Sequence, residues 1–188
     1  LDLRLGNLCN LKCRMCNPLD STSWQDWNNI KEFYERENNY LVPTIHKLVQ
    51  SPGQYIGPFD DSSNWWNSFE KLIPHFKRVE FAGGEPLMDP QHYKILEMLK
   101  PYGKNMELKY ATNGTTLGKG SRTIHEYWPH FKSIAVNVSI DGIHNVYDYI
   151  RTNSDFNVVA ENIKEFKSFN NVSRVVGAFT AQAGNILQ

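Results

Sequence analysis

The chain has 188 residues, with 20 Lys and Arg balanced by 20 Asp and Glu, about 40% apolar residues and 13% aromatic ones. That length suits one domain, residues 1–188, and the apolar and aromatic content excludes a disordered chain. No apolar run approaches the ~20 residues of a spanning helix, and zero net charge without a charged block offers no electrostatic case for a nucleic acid or a membrane as partner.

Leu1–Leu5 alternates as a short strand should and runs into a loop, Gly6–Asn17, that contains all three cysteines. Ser21, Thr22 and Ser23 are expected N-caps for a helix with Trp24, Trp27, Ile30 and Phe33/Tyr34 at helical spacing. Prolines 43, 52 and 58 and glycines 53 and 57 break the pattern from Tyr40 to Asp61, apart from a helix expected around Thr44–Gln50. Ser62 or Ser63 is expected to cap a helix with Trp65, Trp66, Phe69, Leu72 and Ile73 on one face, ending near Pro74. Residues of about 22–70 thus read as an aromatic-rich insertion, either a lid or substrate wall or a pack against the outside of the fold.

Strands and helices then alternate. The pattern predicts strand Arg78–Ala82, helix Pro90–Lys100, strand Met106–Thr112, a helix near Arg122–Phe131 and strand Ser133–Ile140. Helices Val146–Ile150 and Asp155–Phe169 and strand Val172–Thr180 follow, the second helix carrying Phe156, Val159, Ile163 and Phe166 on one stripe. Crossovers long enough to hold a helix imply an α/β fold with a parallel sheet, open or closing into a barrel. Each strand ends in turn residues: Gly6, Gly83-Gly84-Glu85-Pro86, Thr112-Asn113-Gly114, Ser139-Ile140-Asp141-Gly142, and Thr180 to Asn185 with Gly184. In such a fold these ends share one face, where ligands bind.

Cys9, Cys13 and Cys16 are spaced CxxxCxxC, which is ligand spacing rather than a disulfide framework. Thiols that must stay reduced, with no signal segment opening the chain, make the cytoplasm the expected setting. Structural zinc wants four ligands and would have to recruit His46, His75, His92, His125, His130 or His144. A cubane iron–sulfur cluster accepts three cysteines and leaves one iron open to an exogenous ligand. Lys12 and Arg14 would offset part of the charge of such a cluster or serve as solvated surface groups.

These residues resemble the radical S-adenosylmethionine (radical SAM) superfamily, whose CxxxCxφC signature matches Cys9, Cys13 and Cys16 with Met15 at φ. The family usually carries an aromatic there, near the adenine. Gly83-Gly84-Glu85-Pro86 is similar to the GGEP motif that binds the methionyl amino group. Ala111-Thr112-Asn113-Gly114-Thr115 and Val138-Ser139-Ile140-Asp141-Gly142 resemble third- and fourth-strand motifs of the SPASM/twitch branch. Arg151 matches a position that reaches the cofactor's carboxylate, its ordinary alternative being a salt bridge with Asp148 or Asp155; Gln182 and Asn185 are placed to touch ribose or adenine.

The resemblance implies a partial (βα)6 TIM-like barrel truncated near the C-terminus, with a sixth strand beyond Gln188. It also implies a [4Fe–4S] cluster on the cysteines, S-adenosylmethionine bound by Met15, Gly83, Gly84, Glu85, Pro86, Asn113, Ser139, Asp141, Arg151 and Gln182, and reductive cleavage to a 5′-deoxyadenosyl radical that abstracts hydrogen. Such an oxidoreductase takes electrons from an external donor such as flavodoxin or ferredoxin, and the branch points to a peptide or protein substrate. The competing expectation is a non-catalytic zinc- or cluster-stabilised interaction domain. A phosphate binder using Gly83-Gly84 would lack the lysine of a P-loop.

Overall fold

Alternation along Arg78-Val79-Glu80-Phe81-Ala82 and Glu107-Leu108-Lys109-Tyr110-Ala111-Thr112 sends every second side chain to one face of a strand. The computed structural model, which describes residues 1–24 and 64–186, builds both runs into one sheet. In chain order the elements are β1 (Asp2–Arg4), β2 (Lys12–Cys13), α1 (Trp65–Leu72), β3 (Arg78–Ala82), α2 (Pro90–Leu99), β4 (Glu107–Thr112), β5 (Gly118–Lys119) and β6 (Arg122–Thr123). They continue with α3 (Ile124–Tyr127), β7 (Ser133–Ser139), α4 (His144–Ile150), β8 (Arg151–Thr152), α5 (Phe156–Ser168) and β9 (Val172–Ala178). The main sheet has five strands in the order β1-β3-β4-β7-β9, every neighbouring pair parallel. This is the expected α/β fold with five of the six expected strands, open between β1 and β9 among the described residues.

One face of the sheet is apolar. Leu3, Val79, Phe81, Leu108, Tyr110, Ile134, Val136 and Val138 are buried there in one cluster with Tyr93 and Leu96 of α2, Tyr127 of α3, and Val159 and Phe166 of α5. The other face carries Arg4, Glu80, Lys109, Asn137 and Arg174, none of them fully buried, with the small residues Ala82 and Ala111 toward the strand ends. Parallel sheets covered on both sides read as unbroken apolar runs. Here the runs alternate because one face stays polar, as the wall of an open barrel does.

The helix starts follow local chemistry. The Asp89 carboxylate accepts the Gln91 N–H at 2.8 Å ahead of Pro90, and Asp155 accepts the Asn157 N–H at 2.8 Å to open α5. Elsewhere the expectations need correction. The N-cap of α1 is Asn64, without a side-chain cap bond, and Leu72 is 51% exposed rather than on the buried face. The helix expected near Arg122–Phe131 shrinks to α3 and a 3₁₀ turn, Trp128–His130, because Arg122 and Thr123 pair with Gly118 and Lys119 as a hairpin and Pro129 tightens the last turn. The helices expected from Trp24 and around Thr44–Gln50, and most of the insertion, lie outside the described residues.

Candidate functional site

The cysteine loop is clamped from three directions, first by the backbone of the second strand end. The Gly84 N–H donates to the Gly6 carbonyl and the Glu85 N–H to the Leu8 carbonyl, both at 2.7 Å. A Cβ on Gly83, whose φ is +132°, would lie 2.8 Å from the Gly6 oxygen, and one on Gly84 would overlap the Leu8 carbonyl. Only glycine admits that contact. The close approach that these glycines allow is used at least by the chain's own Leu5–Leu8 backbone.

The second clamp is a set of hydroxyls. Thr22 Oγ1 accepts the Cys9 N–H and donates to the Cys9 carbonyl; Ser23 Oγ donates to the same carbonyl at 2.9 Å; Ser21 Oγ donates to the Leu11 carbonyl. Ser21–Ser23, expected as helix caps, therefore staple the cysteine loop. The third clamp is a two-stranded antiparallel ladder of β2 and β8, with Lys12 opposite Thr152 and Cys13 opposite Arg151. It continues as the Arg14 N–H donates to the Ile150 carbonyl at 2.9 Å and the Arg14 guanidinium sits 3.8 Å over the Tyr149 ring. Arg14, expected as a charge offset or a solvated group, locks this ladder.

All three cysteines are free thiols, Cys13 buried and Cys9 and Cys16 half-buried. Donors face two of the sulfurs: the Leu11 N–H at 3.4 Å and Asn113 Nδ2 at 3.7 Å from Cys9 Sγ, and Arg151 Nη1 at 3.7 Å from Cys13 Sγ. Burial pushes the Cys9 thiol up. Cys13 and Cys16 share a hydrogen bond that drives Cys13 up and Cys16 down. Met15 stands 39% exposed at the loop.

Glu85 is 1% exposed, yet its carboxylate accepts from the Leu87 N–H at 3.1 Å, Thr112 Oγ1 at 2.8 Å and the Asn113 N–H at 2.6 Å. Desolvation pushes it up to about 7 in spite of those donors. It caps the buried 3₁₀ turn Pro86–Met88 and ties it to the end of β4. Asn113 reaches back from there: Nδ2 donates to Asn10 Oδ1 at 3.0 Å, while Asn10 Nδ2 donates to Thr115 Oγ1 at 2.9 Å and Thr115 closes on Asn113 Oδ1. Asn10 is not singled out by the sequence, and Thr115 enters it only within the Ala111–Thr115 run, because a single Asn or Thr in a loop carries no pattern of its own.

On the far side, Asp141 Oδ2 meets Arg151 Nη2 at 2.7 Å and Oδ1 accepts the Thr180 N–H at 2.8 Å. The partner of Arg151 is thus neither Asp148, which accepts the Phe156 N–H, nor Asp155, which caps α5. The Asn185 amide is spent on the Asp141 and Thr180 carbonyls. Gln182 Nε2 is buried without a hydrogen-bond partner among the described residues, and Ser139 sits half-buried at the end of β7, opposite Ala178.

Two of the six histidines a zinc site could recruit are engaged elsewhere, and His46 lies outside the described residues. His92 Nε2 is 3.0 Å from the Tyr110 hydroxyl in the core, and His125 Nε2 is 2.7 Å from Glu165. Among the described residues no group of three or more His, Cys, Asp or Glu side chains is gathered to hold a metal ion. Three thiols on one loop with N–H donors on their sulfurs suit a group that takes one cysteine per iron, which does not ask three sulfurs to converge on a single ion.

A family model described as the radical SAM superfamily matches residues 3–180. The chain belongs to the radical SAM superfamily. GTP 3′,8-cyclase of Aliarcobacter butzleri (strain RM4018) is 25% identical over 133 residues, which are 71% of this chain and 31% of that protein. The chain spans about a third of the length of this curated relative. In radical SAM terms, the cysteine loop follows the first strand of the sheet, the GGEP run the second and Asn113 the third, all on one rim. No helix among the described residues is long and apolar enough to cross a membrane.

Proposed function

We propose that this chain works as a radical SAM enzyme in which Cys9, Cys13 and Cys16 hold a [4Fe–4S] cluster and the rim of strand ends receives S-adenosylmethionine. The observation that carries this is the donor set: three free cysteines on one loop, clamped by the end of β3, by the Ser21–Ser23 hydroxyls and by β8, with no histidine recruited among the described residues. A cluster held by Cys9, Cys13 and Cys16 would supply the one-electron reduction of S-adenosylmethionine on which hydrogen abstraction from a substrate depends.

The chain's own residues hold and shield. Asn113 and the Leu11 N–H present donors to Cys9, while Glu85 locks the GGEP turn against β4 so that its backbone faces the rim. Met15 is exposed beside the cysteines, where it can lie against the adenine. Gln182 Nε2 is a buried donor awaiting an acceptor, which fits a ribose or adenine contact, and Ser139 and Asp141 close that side. An external donor of the flavodoxin or ferredoxin kind would reduce the cluster in the cytoplasm. A peptide or protein substrate is the reading that the SPASM/twitch-like runs at 111–115 and 138–142 support.

Anaerobic reconstitution with iron and sulfide should yield a brown chain whose visible absorbance bleaches with dithionite and which forms 5′-deoxyadenosine from S-adenosylmethionine. Cys13→Ala should abolish both. A chain that takes one zinc and no sulfide would establish the interaction-domain alternative instead.

A further inference from the structure

Arg151 is placed by backbone, not by a rotamer alone. It stands directly opposite Cys13 in the β2–β8 ladder, and directly opposed residues of an antiparallel pair project side chains on the same face within about 5.5 Å at Cβ. Its guanidinium is shared: Nη2 lies 2.7 Å from Asp141 Oδ2 and Nη1 lies 3.7 Å from Cys13 Sγ, in a residue only 9% exposed. Asp141 is itself immobilised, its other oxygen taking the Thr180 N–H and its carbonyl the Asn185 amide. A rigid fork held at one end by a fully buried carboxylate leaves the other end aimed at sulfur.

We propose that Arg151, anchored by Asp141, is a positioning residue that donates to the Cys13 sulfur and thereby raises the reduction potential of the cluster. This rests on the cluster reading above. The physical ground is that reduction adds one electron, and with it negative charge, to a group whose sulfur ligand already faces a fixed cation. Hydrogen bonds to cluster sulfurs and nearby charge are among the levers that set such potentials. The assignment differs from a direct grip on the cofactor's carboxylate, because Nη2 and Nη1 face Asp141 and Cys13 within the chain, while Nε is buried with no hydrogen-bond partner among the described residues.

The test is a dithionite titration, with redox mediators, of reconstituted wild-type, Arg151→Gln and Arg151→Lys chains without S-adenosylmethionine. It is followed by electron paramagnetic resonance and accompanied by iron and sulfide analysis, a thermal melt and an S-adenosylmethionine binding measurement. Arg151→Gln should load iron and sulfide yet show about a tenfold lower ratio of reduced to oxidised cluster at fixed potential, equivalent to about 59 mV for a one-electron couple. Arg151→Lys, which keeps the charge, should recover part of that shift. An unchanged midpoint in Arg151→Gln with weakened cofactor binding would overturn the proposal in favour of the carboxylate role. Loss of cluster loading in both variants at an unchanged melt would overturn it, since Arg151 would then serve assembly of the cluster and not its potential. Loss of loading together with the fold would overturn it, leaving Arg151 a structural pin. A wild-type chain that takes up no iron–sulfur cluster would sink the underlying reading first, before either variant is compared.

Discussion

The helix-side layer and the rim of strand ends are held together by different physics. Behind the sheet, Phe81, Tyr110, Trp128 and Phe166 are fully buried, with Trp128 5.3 Å from Tyr110 and 5.6 Å from Phe166 between ring centroids. That layer is stabilised by buried area and close packing, so it is sensitive to lost volume. The rim buries charge as well as apolar groups; Glu85, Asp141 and Arg151 are buried there beside Leu11 and Leu87, and loops interlock backbone against backbone. A site built this way is sensitive to an added methyl group or a lost donor, because a buried polar group left unpaired keeps its full desolvation cost.

The sharpest way to break the contrast is Trp128→Ala, which should cost about 3–5 kcal/mol in a denaturant melt. Well below its own midpoint this variant should still load iron and sulfide, since the ring partners of Trp128 are Tyr110, Phe166 and Phe169 of the helix-side layer. Acid acts on the same layer. Burial holds His92 down at about 3, against 6.5 for an unburied imidazole, so the folded chain refuses a proton that the unfolded chain accepts. The His92 contribution is complete above pH 6.5 and is lost as pH falls from there toward 3, at roughly 1.4 kcal/mol per pH unit. Urea melts at pH 7 and pH 4 should show that His92→Gln, which keeps a hydrogen-bonding group for Tyr110, flattens this acid limb.

At the rim, Gly84→Ala forces a methyl group into the Leu8 carbonyl and should cost roughly 1–3 kcal/mol, the range for overfilling a packed site. Its loss of iron loading should exceed that of Trp128→Ala at matched stability; equal losses would erase the distinction drawn between the two regions. Asp155→Ala acts at the exposed start of α5, outside the packed aromatic layer and the rim. Losing the cap on Asn157 should lower stability by about 1 kcal/mol with iron content unchanged, which calibrates the other variants.

Much of the fold was legible because periodicity is a local property. The pattern marked β3 and β4 and started helices at Pro90 and Asp155, and Phe156, Val159, Ile163 and Phe166 marked the stripe of α5, of which Val159 and Phe166 are fully buried. Leu72 was misread because helical spacing says which residues share a face but not how far a neighbour covers its end. The hairpin before α3 was missed because Gly118–Lys119 and Arg122–Thr123 are too short for any period to register.

The cysteine spacing and the strand-end motifs, and with them the superfamily, were written in the order of residues along the chain, since ligand type and turn chemistry are carried by the residues themselves. What those residues do to one another was decided only in three dimensions. That the glycines of 83–84 admit the Leu5–Leu8 backbone, that Ser21–Ser23 staple the cysteine loop, and that Arg151 divides itself between Asp141 and Cys13 all depend on contacts between segments far apart in the chain. Such contacts form when parallel crossovers bring every strand end to one rim, and a buried donor or charge there takes whichever partner that packing leaves within reach.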